Sequence, residues 1–276
     1  MTRLLHISDL HFGPPFLPRV GEALVRGAAE AAPDGIVVSG DLTQRARPAQ
    51  FEAAKAFIDR LPDVPKLIVP GNHDVALHRL WERWFHPYAL YRRHIDDRLD
   101  LAMQIGDVRL VGLNSTSPRR AISNGRIDPK QLEFCRESLA DVPSGTARVV
   151  VAHHHFAPAP DYLHDETMPK SKRAMATFQK LGVEMILGGH LHRAYIGNSL
   201  DFYPGDRRDR GITIVQCGTS TSRRGRGREK EKNSFNVIEV EEREFRITHW
   251  MYFDELEAFR PQSQHRFPRR GREIAI

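Results

Sequence analysis

Short apolar runs alternate with amphipathic stretches over the first part of the chain. Residues 4–7, 36–39 and 67–70 are apolar runs bounded by Gly, Pro or polar residues, which is typical of buried strands. Residues 17–31 and 48–61 lie between these runs and have the apolar spacing of helices. The alternation predicts a βαβαβ unit with parallel strands and right-handed crossovers.

The rest of the chain predicts helices, further buried strands and a hairpin. We expect helices at residues 79–94, 129–139 and 172–181, and strands at residues 101–105, 108–114, 149–152, 184–187, 212–217, 235–240 and 244–253. The dipeptide Gly106-Asp107 is a two-residue hairpin signal. The aromatic side chains of residues 79–94 are expected to lie in the core or to cap it. The second half thus adds antiparallel strands to a parallel first half.

The chain shows no internal repeat and no Pro- or Ser-rich linker that would divide it. We therefore expect one domain over residues 1–260, an α/β protein in which two sheets pack face to face with helices outside. Its 276 residues suffice to bury a large core without disulfides or structural metals. Residues 261–276 lack periodicity, and we expect them to form a basic C-terminal tail, either disordered or an arm onto a partner.

The chain is basic, with a formal net charge of +6 and an isoelectric point near 9.5. This charge suits an anionic substrate, although much of it lies in residues 223–232 and 266–272. The two cysteines, Cys135 and Cys217, lack C-x-x-C spacing, which argues against a thiolate zinc site or a disulfide scaffold. No apolar stretch approaches the ~18 residues of a membrane span, and polar clusters begin too early, at Asp9, to follow a signal peptide. We expect a soluble, cytoplasmic protein.

Five short clusters of His, Asp and Asn each follow a predicted strand. They are Asp9-Leu10-His11, Gly40-Asp41, Gly71-Asn72-His73-Asp74, His153-His154-His155 and Gly189-His190-Leu191-His192. The carboxyl ends of strands are where α/β proteins bind ligands. Carboxylate, amide and imidazole groups suit Mn, Fe, Zn or Co, and the lack of thiolates argues against a closed structural zinc site. A carboxylate such as Asp41 can bridge two ions ~3.5 to 4 Å apart that both contact one phosphate. The clusters therefore predict a dinuclear centre that hydrolyses a phosphoester.

These clusters resemble the complete pattern of the calcineurin-like metallophosphoesterases, over about residues 3 to 217. The resemblance implies a four-layer α/β/β/α sandwich of two mixed β-sheets. It also implies seven metal ligands: Asp9, His11 and His192 on the first metal, Asn72, His153 and His190 on the second, and Asp41 bridging both. It places His73 at the substrate, where the imidazole protonates the leaving oxygen or stabilises the phosphoryl charge. The implied nucleophile is a hydroxide that bridges the metals.

Within the superfamily the second cluster separates two groups. Protein serine/threonine phosphatases continue it as G-D-x-V-D-R-G, whereas this chain has Gly40-Asp41-Leu42-Thr43-Gln44-Arg45-Ala46. The stretches Ile7-Ser8-Asp9-Leu10-His11, Gly40-Asp41-Leu42-Thr43 and His153-His154-His155 are similar instead to bacterial class III cyclic nucleotide phosphodiesterases and related glycerophosphodiesterases. Phe156-Ala157 departs from that group, which has proline directly after the triplet, so the substrate-facing loop is expected to differ.

Several assignments stay open at the level of sequence. His153 comes first after its strand and is favoured over His154 as the ligand, whereas His155 either contacts substrate or lies in a solvated loop. His6, inside the first strand, is expected in the core. Asn114 is a candidate pocket residue. The segment 217–224 either borders the phosphate pocket or forms a polar turn with solvated arginines.

Three functions fit the pattern to different degrees. The first is hydrolysis of a small phosphodiester, with a 3′,5′-cyclic nucleotide as the candidate substrate and two Mn or Fe ions favoured over Zn or Co. The second is a nuclease on DNA or RNA, which the basic charge permits but for which no extra domain is visible. The third is a non-catalytic scaffold, which the presence of every ligand and of His73 disfavours. The sequence assigns no oligomeric state.

Overall fold

The computed structural model describes residues 1–77, 79–119, 124–159, 167–203, 211–225, 230 and 232–269. The strands are β1 (Thr2–Ile7), β2 (Gly35–Val38), β3 (Lys66–Ile68), β4 (Leu101–Ile105), β5 (Val108–Leu113), β6 (Ala147–Ala152), β7 (Met185–Gly188), β8 (Tyr195–Asn198), β9 (Thr213–Gln216), β10 (Ser234–Val240), β11 (Glu244–Phe253) and β12 (Ala258–Pro268). The helices are α1 (Pro18–Ala31), α2 (Pro48–Ile58), α3 (Leu80–Phe85), α4 (Ala89–His94), α5 (Pro129–Ala140) and α6 (Ser171–Lys180).

The strands form two six-stranded mixed sheets. The first has the order β12-β11-β10-β1-β2-β3 and the second the order β4-β5-β6-β7-β9-β8. Strands β1, β2 and β3 are parallel, which confirms the predicted βαβαβ unit, and β10 joins β1 antiparallel. In the second sheet β5, β6, β7 and β9 are parallel, with antiparallel strands at both edges.

Three apolar layers hold the sheets and helices together. Strand β1 shows how they arise, because successive side chains of a strand point to opposite faces. Leu4 packs in the layer between the two sheets, while Leu5 and Ile7 pack against the outer helices of the first sheet. Helices α5 and α6 cover the outer face of the second sheet. The fold is therefore the expected four-layer α/β/β/α sandwich, and its inner strands read as continuous apolar runs because both faces are buried.

The single helix predicted over residues 79–94 is wrong, because the chain forms α3 and α4 on either side of Pro87. Proline lacks the N–H that would continue the helix and disfavours helical backbone at the preceding residue. Three of the aromatic side chains expected in the core are exposed, at 71% for Trp81, 52% for Trp84 and 57% for Phe85. Tyr91 on α4 is buried, as expected.

Two edge strands, β8 and β12, were not predicted from the sequence. Strand β12 extends the first sheet to Pro268 through antiparallel pairing with β11, so the predicted tail is wrong over residues 261–268. Most β12 side chains are exposed, and the strand is held by its backbone ladder rather than by an apolar face, which leaves no periodic pattern to detect. Residues 270–276 lie outside the described residues.

Within the described ranges, no helix is long and apolar enough to cross a membrane.

Candidate metal centre

The five clusters meet where both sheets present the carboxyl ends of their parallel strands. Asp9 and His11 follow β1, Asp41 follows β2, and Asn72 begins a 3₁₀ turn after β3. From the second sheet, His153 follows β6, and His190 and His192 follow β7. The two sheets therefore contribute from opposite sides, and the structure brings all seven candidate ligands together.

One group of ligand atoms surrounds the Nε2 atom of His11. Atoms of Asp9, His11, Asp41 and His192 all lie within 4.8 Å of one another. His11 Nε2 is 2.9 Å from His192 Nε2 and 3.6 Å from both Asp9 Oδ1 and Asp41 Oδ2. Two imidazoles and two carboxylates in this arrangement have the donor set of a transition-metal site.

A second group surrounds the amide oxygen of Asn72. Asn72 Oδ1 lies 3.1 Å from His153 Nε2 and 2.9 Å from His190 Nδ1. Asp41 joins the two groups, because its Oδ1 atom is 3.3 Å from His153 Nε2 while its Oδ2 atom faces His11. The two oxygens of one carboxylate thus serve different groups, as a carboxylate that bridges two ions does.

Two buried carboxylate oxygens test whether metal ions fit this site. Asp9 Oδ1 and Asp41 Oδ2 are buried and have no hydrogen-bond partner of good geometry among the described residues, although His192 Nε2 lies 3.2 Å from Asp9 Oδ1. An ionised oxygen without a partner is costly to bury unless a cation compensates it. Both oxygens face the group around His11, so the residues fit a bound divalent ion.

The outer nitrogens of two imidazoles show which nitrogen is available to a metal. His153 Nδ1 donates to Ser39 O over 2.8 Å, and His192 Nδ1 donates to Arg224 O over 2.9 Å. Because a carbonyl oxygen only accepts, Nδ1 carries a proton in both rings, and Nε2 is the nitrogen directed at the cluster. Orientation of this kind is typical of metal-binding histidines. His154 Nδ1 is engaged as well, 2.8 Å from Ser115 Oγ. The support for His153 as the ligand is its Nε2 atom, which lies 3.1 Å from Asn72 Oδ1 and 3.3 Å from Asp41 Oδ1.

The backbone at the site is strained. Asp9, His11, Asp41, His190 and His192 all have φ between 51° and 74°, a region that residues other than glycine rarely adopt. Each such residue costs on the order of 1–3 kcal/mol, and strain of this kind concentrates at functional sites. Backbone hydrogen bonds from Asp9 N to Gly40 O and from His11 N to Asp41 O, both 3.0 Å, hold the loops in place.

The electrostatics of the cluster favour ionised carboxylates. Burial alone would raise the pKa of Asp9, but the imidazoles of His192 and His11 hold it well below its usual range. Burial acts on the pKa of Asp41 in the same way and is outweighed by His153 and His73. Burial lowers the pKa of His11 to about 4, against the pull of both carboxylates. Two buried carboxylates that stay charged side by side form a strong cation site.

Asp74 supports the site without facing it. Its carboxylate accepts hydrogen bonds from the backbone N–H groups of Leu42 (3.1 Å), Thr43 (2.8 Å) and Gly71 (2.9 Å). The loops after β2 and β3 are thereby tied together next to Asp41. Burial and the charge of Asp41 raise the pKa of Asp74 to about 7, against those three hydrogen bonds. The sequence placed Asp74 in a cluster but gave no sign of this bracing role.

His73 lies at the rim of the cluster, half-buried. Its backbone N–H donates to Asp41 Oδ1 over 2.8 Å, and its Nδ1 donates to Gln44 O over 2.8 Å. The Nε2 atom lies 3.1 Å from Nη1 of Arg224, a residue that the sequence did not single out by itself. The segment 217–224 therefore borders the cluster. Of its two predicted positions, at the phosphate pocket or in a polar turn with solvated arginines, this contact favours the first.

Packing and hydrogen bonding explain the positions of His6, His155 and Asn114. His6 is buried, as expected, bonds to Ser39 Oγ over 2.9 Å, and has its pKa lowered to about 3 by burial. His155 is also buried and stacks on His190, so the solvated-loop alternative for it is wrong. Asn114 Oδ1 accepts hydrogen bonds from Thr116 and so supports the loop after β5. His78 and His164, for which no site was predicted, lie outside the described residues.

Comparisons with known proteins agree with this geometry. Residues 2–194 match the calcineurin-like phosphoesterase family. A probable cyclic nucleotide phosphodiesterase of Rhodococcus erythropolis is 26% identical over 202 residues, which are 68% of this chain and 64% of that protein, just under two thirds of its length. A cAMP/cGMP dual specificity phosphodiesterase of Mycobacterium tuberculosis is 29% identical over 238 residues, 78% of this chain and 71% of that protein.

The fold has a counterpart among solved structures. A purple acid phosphatase from yellow lupin (Lupinus luteus) seeds superimposes with a TM-score of 0.74 over 98% of this chain and 54% of the phosphatase chain, at 13% identity. This likeness concerns the fold alone. The family match, in contrast, covers most of the chain and takes in every candidate ligand from Asp9 to His192. This chain therefore belongs to the calcineurin-like metallophosphoesterase family.

Proposed function

We propose that the chain hydrolyses a small phosphodiester with the help of two metal ions, and that a 3′,5′-cyclic nucleotide is its substrate. The observation that carries the proposal is the position of Asp41, whose two oxygens face separate ligand groups. The same carboxylate fixes the backbone of His73. One residue would thus set the spacing between the metal sites and the candidate acid.

The ligand assignment divides the site into two halves. Asp9, His11 and His192 would hold one ion, Asn72, His153 and His190 the other, and Asp41 would bridge them. Mn or Fe suits these oxygen and imidazole donors better than Zn or Co, because hard oxygen ligands favour the former. When bound, two such ions would polarise the phosphoryl oxygens and lower the pKa of an attacking water.

His73 is placed to act on the leaving oxygen. Its Nδ1 proton is held by Gln44 O, so a second proton would reside on Nε2, the atom that faces the rim. Burial lowers the pKa of His73, and the Asp41 carboxylate offsets part of that effect. Nε2 accepts from Arg224 Nη1 in the structure, so proton transfer to a leaving alkoxide requires that this contact opens and Nε2 takes up a proton, which the lowered pKa then makes easy to give away.

The choice of a diester is supported by the relatives and by sequence. The two bacterial relatives are named as phosphodiesterases of cyclic nucleotides. The loop after β2 lacks the continuation found in protein phosphatases. The intact ligand set and the ordered position of His73 speak against a non-catalytic scaffold.

Initial rates with three substrates test the proposal. The protein is stripped with a chelator, reloaded with Mn²⁺ and assayed on 3′,5′-cyclic AMP, bis(p-nitrophenyl) phosphate and p-nitrophenyl phosphate, with Asp41→Ala as the blank. We expect metal-dependent hydrolysis of both diesters, faster than that of the monoester. Preference for the monoester would contradict the diester assignment, and metal-independent turnover would contradict the mechanism.

A nuclease is the second candidate, and the exposed aromatic residues of α3 favour it. Trp81 and Trp84 offer faces on which unpaired bases can stack. Arg119 donates to Trp84 O over 3.0 Å and adds positive charge beside them. This function predicts binding of single-stranded DNA that weakens steeply between 50 and 200 mM salt, where ~10³-fold changes are typical. Absence of such binding would eliminate it.

A further inference from the structure

The segment after β9 crosses from the second sheet to the loop after β1. Its hydrogen bonds to that loop include Ser220 N to Ser8 O (3.0 Å), Thr219 Oγ1 to Asp9 O (2.8 Å), Thr221 Oγ1 to Leu10 O (2.9 Å) and Arg223 N to Pro15 O (3.0 Å). Residues 219–222 are buried. The segment is therefore fixed on the backbone that carries Asp9 and His11, and it ends at Arg224 on the rim of the cluster.

Arg224 contacts the cluster twice. Its carbonyl oxygen accepts the hydrogen bond from His192 Nδ1. Its Nη1 atom donates to Gln44 Oε1 over 3.0 Å and to His73 Nε2 over 3.1 Å. Because His73 Nδ1 is engaged by Gln44 O, Nε2 is the acceptor in the second contact. The guanidinium thus lies beside the atom that faces the substrate in the proposed function.

The remaining donors of this guanidinium are available. In the described part of the chain, Nε and Nη2 of Arg224 make no hydrogen bond to protein, and no carboxylate forms an ion pair with Arg224. A guanidinium is always charged and presents its donors in a planar fork that matches phosphate oxygens. A guanidinium fork without an acidic partner among the described residues, next to the candidate acid His73 and at the edge of the cluster, has the properties of an anion-binding group.

We propose that Arg224 is a catalytic residue that binds a non-bridging oxygen of the substrate phosphoryl group. The inference rests on the proposed function for its substrate class and adds a residue to it. The ligand is a tetrahedral phosphoryl oxyanion, either that of the diester or free orthophosphate. Donors aimed at charge that develops in the transition state contribute more to catalysis than to ground-state binding. Arg224 would thus act on kcat as well as on KM.

Arg224→Gln, Arg224→Lys and Arg223→Gln test this role in the full-length, Mn²⁺-loaded protein. Arg223 is exposed and one residue away, which makes Arg223→Gln the matched control. We expect Arg224→Gln to lose at least ~10²-fold in kcat/KM on bis(p-nitrophenyl) phosphate, the cost of removing one oxyanion donor. Orthophosphate should bind at least ~10-fold more weakly by calorimetry, as for a lost hydrogen bond to a charged group. Arg224→Lys should be intermediate, and Arg223→Gln should match wild type.

Mn²⁺ affinity separates contact with phosphate from a structural role. The carbonyl that orients His192 remains in Arg224→Gln, so Mn²⁺ binding should stay within about threefold of wild type. Loss of Mn²⁺ affinity, or orthophosphate affinity and kcat/KM both within threefold of wild type, would overturn the assignment. If wild type hydrolyses no diester, the proposed function fails, and orthophosphate calorimetry alone decides on Arg224. Weaker binding to Arg224→Gln then supports the role, and equal or absent binding overturns it.

Discussion

Gly71 lies directly against the Asp41 carboxylate, and replacing it tests how closely that carboxylate must be held. A Cβ atom at residue 71 would lie 2.2 Å from both Asp41 N and Asp41 Oδ1. An ordinary contact is near 3.4 Å, so Asp41 would have to move by ~1 Å. Overpacking of this size costs ~1–3 kcal/mol. For a chain of this length we expect Gly71→Ala to lower Tm by ~2–10 °C.

The effect on the site should exceed the effect on stability. A shift of ~1 Å would break the His73 N to Asp41 Oδ1 hydrogen bond and misplace both carboxylate oxygens. Misplacement of this order costs ~10²-fold in rate. Gly197→Ala is the matched control, because its Cβ would meet its nearest neighbour, Tyr195 Cε2, at 3.9 Å. Diester hydrolysis, Mn²⁺ calorimetry and thermal unfolding are measured on both variants. Gly71→Ala with wild-type Mn²⁺ affinity and more than a third of wild-type activity would show that the Asp41 carboxylate need not be held in this position.

Three further predictions concern stability. Chelation should lower Tm and Mn²⁺ should restore it, since a ligand at 100 times its Kd stabilises the fold by ~2.7 kcal/mol per site. An equal change of Tm in Asp41→Ala would contradict this prediction. Asp74→Ala should destabilise the fold by ~3 kcal/mol, because it leaves the N–H groups of Leu42, Thr43 and Gly71 without their acceptor. As a control, Asp254→Ala at an exposed ion pair should cost under ~1 kcal/mol. Denaturant unfolding measures the free energy of unfolding of both variants. The pKa of His6 falls from 6.5 unfolded to about 3 folded, so this histidine stabilises the fold above pH 6.5 and loses ~2 kcal/mol of that contribution by pH 5. His6→Gln should flatten the stability profile between pH 7.5 and 5, and an unchanged slope would exclude this contribution.

The inner part of the fold follows from local sequence. The strands that precede Asp9, Asp41 and His153 are buried on both faces, so their apolar runs are continuous and each is followed by a polar candidate ligand. The clusters could be found because each one is contiguous in the chain and follows such a run. Strands β8 and β12 lie at sheet edges, where backbone pairing suffices and the side chains carry no periodic signal.

What the sequence missed depends on contacts between distant residues. Arg224 reaches His73 across 151 positions, and no local pattern distinguishes it from Arg223. The left-handed backbone at Asp9 is likewise held by residues distant in the chain, through Asp9 N to Gly40 O and Thr219 Oγ1 to Asp9 O. Trp81 and Trp84 are large apolar residues, a type that usually lies in the core. Only the structure of α3 shows that they are exposed.

The most direct test of the account is to count and locate the metal ions. Crystals of the Mn²⁺-loaded protein, measured at the manganese absorption edge, would show each ion as an anomalous peak. We predict two peaks ~3.5–4 Å apart with one Asp41 oxygen directed at each. The ligands of one peak should be Asp9, His11 and His192, and those of the other Asn72, His153 and His190. A single peak, or a pair that Asp41 does not bridge, would contradict it.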